Sequence, residues 1–163
     1  INASGCGLQV REYAHLFARD PAYARKAERI SAMAKDPAEL LPAFGPELQR
    51  ALPVPATGRV VFHPPCTLQH GLKIRGVVES LLADAGFTLT FVPDAHLCCG
   101  SAGTYSLLQG DISQQLLANK VQALESGRPD LIATANIGCL SHIQGAAHVP
   151  IRHWIELLDE HMT

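Results

Sequence analysis

Arg59-Val60-Val61-Phe62 is a short apolar run that ends at His63-Pro64-Pro65-Cys66. Helix-period residues Leu72, Val77, Val78, Leu81 and Leu82 follow it, closed by Gly86, so this stretch reads as a strand, a cysteine loop and a helix. The pattern then recurs. Residues Phe87 to Val92 are β-rich and lead to Cys98-Cys99-Gly100, after which Leu107, Leu108, Leu116, Leu117, Val121 and Leu124 mark helical material. Leu131-Ile132-Ala133-Thr134-Ala135 reads as a buried strand ending at Cys139, and Ile151 to Met162 as a final amphipathic helix. Strands alternating with helices predict an α/β fold, a parallel sheet flanked by helices. In such sheets ligands gather outside the carboxyl ends of the strands. Cys66, Cys98, Cys99 and Cys139 each follow a predicted strand, so their sulfurs are expected to converge on one face, with Cys6 apart from them.

Ahead of this unit the pattern is helical. Leu8, Val10, Leu16 and Phe17 predict a helix over residues 8–19, and Asp20-Pro21 opens a second one to about residue 34. Asp36-Pro37 repeats the start signal. Residues 42–57, with Pro42, Pro46, Pro53 and Pro55, read as a linker holding one short helix. The opening Ile1-Asn2-Ala3-Ser4-Gly5-Cys6-Gly7 resembles the end of a strand running into a cysteine loop, and Ala135-Asn136-Ile137-Gly138-Cys139 is its near repeat. The expected organisation is therefore the tail of a preceding copy plus a helical connector over 1–57, and a complete copy over 58–163. On this reading the chain is a piece of a longer protein.

Composition narrows the function. The 163 residues are 47% hydrophobic and 17% charged, enough apolar material for one good core. No apolar stretch approaches the ~20 residues of a membrane helix and no secretion signal is recognisable, so the expected location is the cytoplasm. A formal net charge of -2, with one Trp, three Tyr and five Phe spread along the chain, argues against a nucleic-acid partner. In that compartment a long-range cysteine set points to metal binding or catalysis rather than to a disulfide framework.

Three chemistries suit these thiols. Adjacent cysteines can bind different irons of a multi-iron cluster, whereas chelating one tetrahedral ion with both would be strained. Gly100 would let the backbone pass close to a bulky inorganic core, and Ser101-Ala102-Gly103 is expected to open a helix that aims N–H groups at it. A mononuclear zinc site from three thiols plus His142, His63 or His96 would instead make a structural module. A Cys98-Cys99 disulfide would make a thiol-redox protein. His63 and His70 flank Cys66 and fit outer hydrogen-bond donors or structural histidines.

His-Pro-Pro-Cys at 63–66, Cys-Cys-Gly at 98–100 and Asn-Ile-Gly-Cys at 136–139, in that order, resemble the CCG-domain (cysteine-rich) iron–sulfur family. The likeness covers nearly the whole chain and is strongest to the C-terminal part of the iron–sulfur subunits of glycolate oxidases. It implies that Cys66, Cys98, Cys99 and Cys139 hold an iron–sulfur cluster of 4Fe-4S or non-cubane type, and that Cys6 belongs to the preceding copy. It also implies an electron-transfer role beside flavin-binding subunits that oxidise a 2-hydroxy acid, with membrane association only through the complex. Lactate-utilisation proteins share these motifs. No Cys-x-x-Cys ferredoxin run is present, and no base, nucleophile or flavin fingerprint for the oxidation itself is recognisable. The broader family often ends its motif in Cys-x-x-Cys, where this chain has Cys139-Leu140-Ser141-His142. His142 is thus a candidate replacement ligand, and an isolated fragment is expected to lose its cluster or take up zinc while keeping its fold.

Overall fold

The computed structural model describes residues 1–52 and 55–162. Pro53 of the expected linker lies outside the described residues.

Four parallel strands form one sheet in the order β2-β1-β3-β4. They are β1 (Arg59–His63), β2 (Thr88–Leu89), β3 (Leu131–Thr134) and β4 (Ile151–His153). The two central strands pair from Val60↔Leu131 to His63↔Thr134, so their carboxyl ends finish level. Successive side chains of a strand point to opposite faces, and the core divides accordingly. Val60, Phe62 and Ala133 pack with Leu82, Trp154 and Leu158 on one face. Val61 and Ile132 pack with Leu117, Leu124, Ile143, Cys99 and Cys139 on the other. The α/β expectation holds.

Ten α-helices accompany the sheet among the described residues. In the first part they are α1 (Ser4–Arg11), α2 (Tyr13–Leu16), α3 (Ala24–Met33), α4 (Pro37–Leu40) and α5 (Gly45–Ala51). Then come α6 (Val77–Asp84), α7 (Tyr105–Leu108), α8 (Gly110–Glu125), α9 (Ile137–Gln144) and α10 (Trp154–Asp159). Of the two Asp-Pro signals only Asp36 is a cap, its Oδ1 accepting from Ala38 N at 2.9 Å at the start of α4. Asp20 Oδ1 accepts from Ala22 N at 2.9 Å in a turn, and α3 starts later, at Ala24. Arg11 pairs with Glu39, tying α1 to α4 and holding the Glu39 carboxyl below its usual range. Gly86 closes α6 as expected, at φ +110, a conformation that favours glycine.

Several boundaries differ from the sequence reading. Residues 8–19 do not make one helix, because the chain breaks between α1 and α2. The opening residues are not a strand end leading to a loop. Helix α1 begins at Ser4, whose N–H donates to Ala135 O at 3.1 Å, and Cys6 lies in its first turn. The linker contains a 3-10 turn, Leu41–Phe44, ahead of α5. The β-rich run 87–92 pairs only at Thr88–Leu89, with one further bond from Thr90 N to Val60 O before Pro93. Ile151–His153 is a strand rather than the start of the last helix. Glu156 accepts from His153 N at 2.9 Å and the His153 ring from Ile155 N at 3.3 Å, a reciprocal cap that starts α10 only at Trp154. Among the described residues no helix is long and apolar enough to cross a membrane.

Candidate metal centre

Each cysteine of the set is delivered to the carboxyl edge of the sheet by a different local device. After β1 the chain turns at Pro64-Pro65 and enters a π-helical turn, Thr67–Gly71, with Cys66 as its N-cap. Gln69 Nε2 in that turn donates to Pro64 O at 3.0 Å and reaches Ala95 O at 3.4 Å, tying the Cys66 loop to the segment that precedes Cys98. From the other side Lys120 Nζ donates to Asp94 O at 3.1 Å and Ala95 O at 3.3 Å. After β3, Asn136 caps α9 by accepting from Gly138 N at 3.1 Å, which sets buried Cys139 in an otherwise exposed first turn.

Gly100 allows the Cys98-Cys99 loop to turn inward. Its φ is +92, and a Cβ there would stand 2.4 Å from Ser113 O. The buried Ser113 hydroxyl donates to Gly100 O at 2.8 Å, and Ser101 Oγ donates to Gly138 O at 3.1 Å, so α8 and α9 both hold this loop. Gly100 N donates to Cys98 Sγ at 3.3 Å. Ser101-Ala102-Gly103 does not open a helix, contrary to the sequence reading. Ala102 and Gly103 take left-handed backbone at φ +38 and +61, and α7 begins at Tyr105.

The four sulfurs interact in a row. Cys66 and Cys98, Cys98 and Cys99, and Cys99 and Cys139 are neighbours close enough to shift one another's titration. Their protons are shared unequally, since a half-buried group of thiols cannot carry four charges without a cation. Hydrogen bonding from Cys66 and then Cys99 holds Cys98 far below the ordinary thiol range. Bonding to Cys99, ahead of the nearby His63, holds Cys139 at about 5 against the opposing effect of burial. Cys66 and Cys99 are pushed upward, each chiefly as the S–H partner of its neighbour and secondarily by burial. A metal that displaces the shared protons would turn all four into thiolate ligands.

His63 closes the row. It is fully buried, at 0% exposure, and neither ring nitrogen meets the geometry of a hydrogen bond among the described residues. Its nearest ring nitrogen and the sulfurs of Cys99 and Cys139 all lie within 4.8 Å of one another. Four soft sulfurs and an unpartnered imidazole fit an iron–sulfur cluster or zinc.

The other candidates lie elsewhere. Cys6 is exposed on α1 and belongs to no such donor group among the described residues. His142 Nε2 faces Ser113 Oγ at 3.3 Å. His96 is exposed, and exposed His70 meets the His96 carbonyl at 3.4 Å and Arg75 at 3.3 Å.

Two contributors escaped the sequence reading. Lys120 is 2% exposed, within the buried stripe Leu117, Val121 and Leu124 of α8. A lysine at a core position of an amphipathic helix was the available signal. Burial lowers its ammonium, and the charges of Cys66, Cys99 and Cys98 oppose that shift. Lys120 also lines, with Leu97, Cys98 and Leu116, a cavity of about 410 Å³. The second is Ser113, a small polar residue in the same stripe and fully buried.

A parallel sheet that presents four converging cysteines defines a cysteine-rich α/β domain. The chain belongs to the cysteine-rich CCG domain family, whose model matches residues 60–144. It is 49% identical over 158 residues to the glycolate oxidase iron-sulfur subunit of Escherichia coli (strain K12), a match that takes in 97% of this chain and 38% of that protein. It is 33% identical over 149 residues to lactate utilization protein A of Geobacillus thermodenitrificans (strain NG80-2), covering 89% of this chain and 61% of that protein. Against lactate utilization protein A of Bacillus subtilis (strain 168) the identity is 31% over 168 residues, covering 98% of this chain and 69% of that protein.

Proposed function

We propose that this chain is the electron-transferring, iron–sulfur part of an oxidoreductase subunit that serves flavin-dependent oxidation of a 2-hydroxy acid. The observation that carries the proposal is the row of four sulfurs, brought from three separated stretches to one edge of the sheet. Cys66, Cys98, Cys99 and Cys139 are the proposed ligands of a 4Fe-4S-type cluster, cubane or non-cubane. Such a cluster, bound there, would supply one-electron transfer. The chain's own part is to exclude water around Cys99 and Cys139, to turn the Cys98-Cys99 loop inward at Gly100 and to hold that loop through Ser113, Ser101 and Lys120.

Glycolate is the acid favoured by the 49% identity to a glycolate oxidase subunit, and lactate is the second choice from the lactate utilization relatives. The proposed partners are flavin-binding subunits of the same complex, and the proposed location is the cytoplasm. Residues 1–57 are proposed to be the end of a preceding copy plus a connector, and 58–163 a complete copy. Cys6 supports that division, since it occupies the third position of α1 as Cys139 occupies the third position of α9. A mononuclear zinc site is the second reading, favoured by the group of His63, Cys99 and Cys139 within 4.8 Å, the single such group among the described residues.

Anaerobic iron, sulfide and zinc analysis separates the two readings. In the full-length complex, Cys99→Ser should preserve assembly while abolishing the spectrum of this cluster and lowering acid-to-dye turnover at least ~100-fold. Unchanged turnover in a complex that has demonstrably lost this cluster would remove the site from the electron path.

A further inference from the structure

We propose that His63 is a nitrogen ligand of the metal centre formed by Cys66, Cys98, Cys99 and Cys139, a proposal that rests on the cluster reading above. The backbone places it there. His63 is the last residue of β1 and lies opposite Thr134, two residues before the Asn136 cap that positions Cys139. The alternation of the strand puts its side chain on the same face as Val61, which packs with Cys99 and Cys139.

Its ring meets sulfur there, since it also helps to hold the Cys139 thiolate. An imidazole has a donor and an acceptor nitrogen when neutral, and buried polar groups in folded proteins are nearly always paired. Among the described residues neither buried ring nitrogen of His63 meets the geometry of a hydrogen bond, while a neighbouring sulfur pair lies within 4.8 Å. Thr134 does not satisfy the ring, since its hydroxyl donates instead to the His63 backbone carbonyl at 3.1 Å. The histidine that sequence spacing suggested is already engaged, because His142 Nε2 meets Ser113 Oγ. His63 also helps to hold Cys139 as a thiolate, but a thiolate cannot take the imidazole lone pair, and a metal at the buried end of the sulfur row does.

The test uses the full-length protein, purified anaerobically with ¹⁵N-labelled or ordinary histidine, and reads iron content, reduction potential and nitrogen hyperfine coupling by pulsed electron paramagnetic resonance. Direct ligation predicts a strong coupling that changes with the isotope in the wild-type protein, a measurement that needs no variant to fold. His63→Cys should retain iron, lose that coupling and shift the potential downward, because a thiolate replaces a neutral ligand. His63→Gln should weaken iron retention against a chelator by ~10-fold or more. His142→Ala should leave the coupling in place. Iron and sulfide present with no isotope-sensitive coupling, or a coupling that survives His63→Cys, would overturn the assignment of His63 and leave the cluster reading standing. Absence of iron and sulfide from the anaerobic wild-type protein would overturn both.

Discussion

The Ser113 hydroxyl donates to Gly100 O at 2.8 Å and faces His142 Nε2 at 3.3 Å. With the hydroxyl proton committed to Gly100, the Nε2–H tautomer of His142 supplies the second bond. His142 therefore braces the Cys98-Cys99-Gly100 turn through Ser113. His142→Ala should cost about 1 kcal/mol in urea unfolding, the usual net worth of one hydrogen bond, with the cluster spectrum unchanged. Ser113→Ala should cost about 1–3 kcal/mol, because it removes a bond to a buried carbonyl. A large spectral change in His142→Ala with normal stability would identify that residue as a ligand instead.

Gly100 is the tightest point of the same turn. A methyl group there meets the Ser113 carbonyl oxygen at 2.4 Å and Leu116 Cβ at 3.2 Å, on backbone already at φ +92. Neither neighbour is the free end of a flexible side chain, so the loop must move. Gly100→Ala is expected to destabilise the fold by about 2–4 kcal/mol and to release metal, since Cys98 and Cys99 move with the loop. Denaturant unfolding together with metal analysis checks both outcomes, and wild-type stability with full metal would refute the strain argument.

Lys120 supplies the buried cation next to the sulfurs. A cluster gains negative charge on reduction, so a nearby ammonium favours the reduced form. Lys120→Met keeps most of the volume and removes the charge. The midpoint potential should fall by tens of millivolts, while Lys120→Arg should stay near wild type. Potentiometric titration of all three proteins decides it. Equal potentials in Lys120→Met and wild type would show that the lysine only ties down the carbonyls of Asp94 and Ala95.

The alternation of apolar runs with helix-period segments was enough to determine a parallel α/β sheet, and the position of each cysteine just beyond a run was enough to bring four thiols to one edge. Both follow from local periodicity and from the way parallel strands align their ends. The tertiary structure alone decided what depends on pairing and burial. The three residues Ile151–His153 carry too short a signal to be told from helix, and they become a strand because β3 offers free backbone groups beside them. Helix α1 starts at Ser4, whose N–H is accepted by Ala135 O just beyond β3. Lys120 and Ser113 read as ordinary polar positions until α8 packs on the sheet and removes them from water. The choice between His63 and His142 was likewise invisible in spacing. The register of β1 against β3 places the His63 ring near the sulfurs of Cys99 and Cys139, while His142 stands beside the Ser113 hydroxyl, and the proposed choice between them follows from that placement.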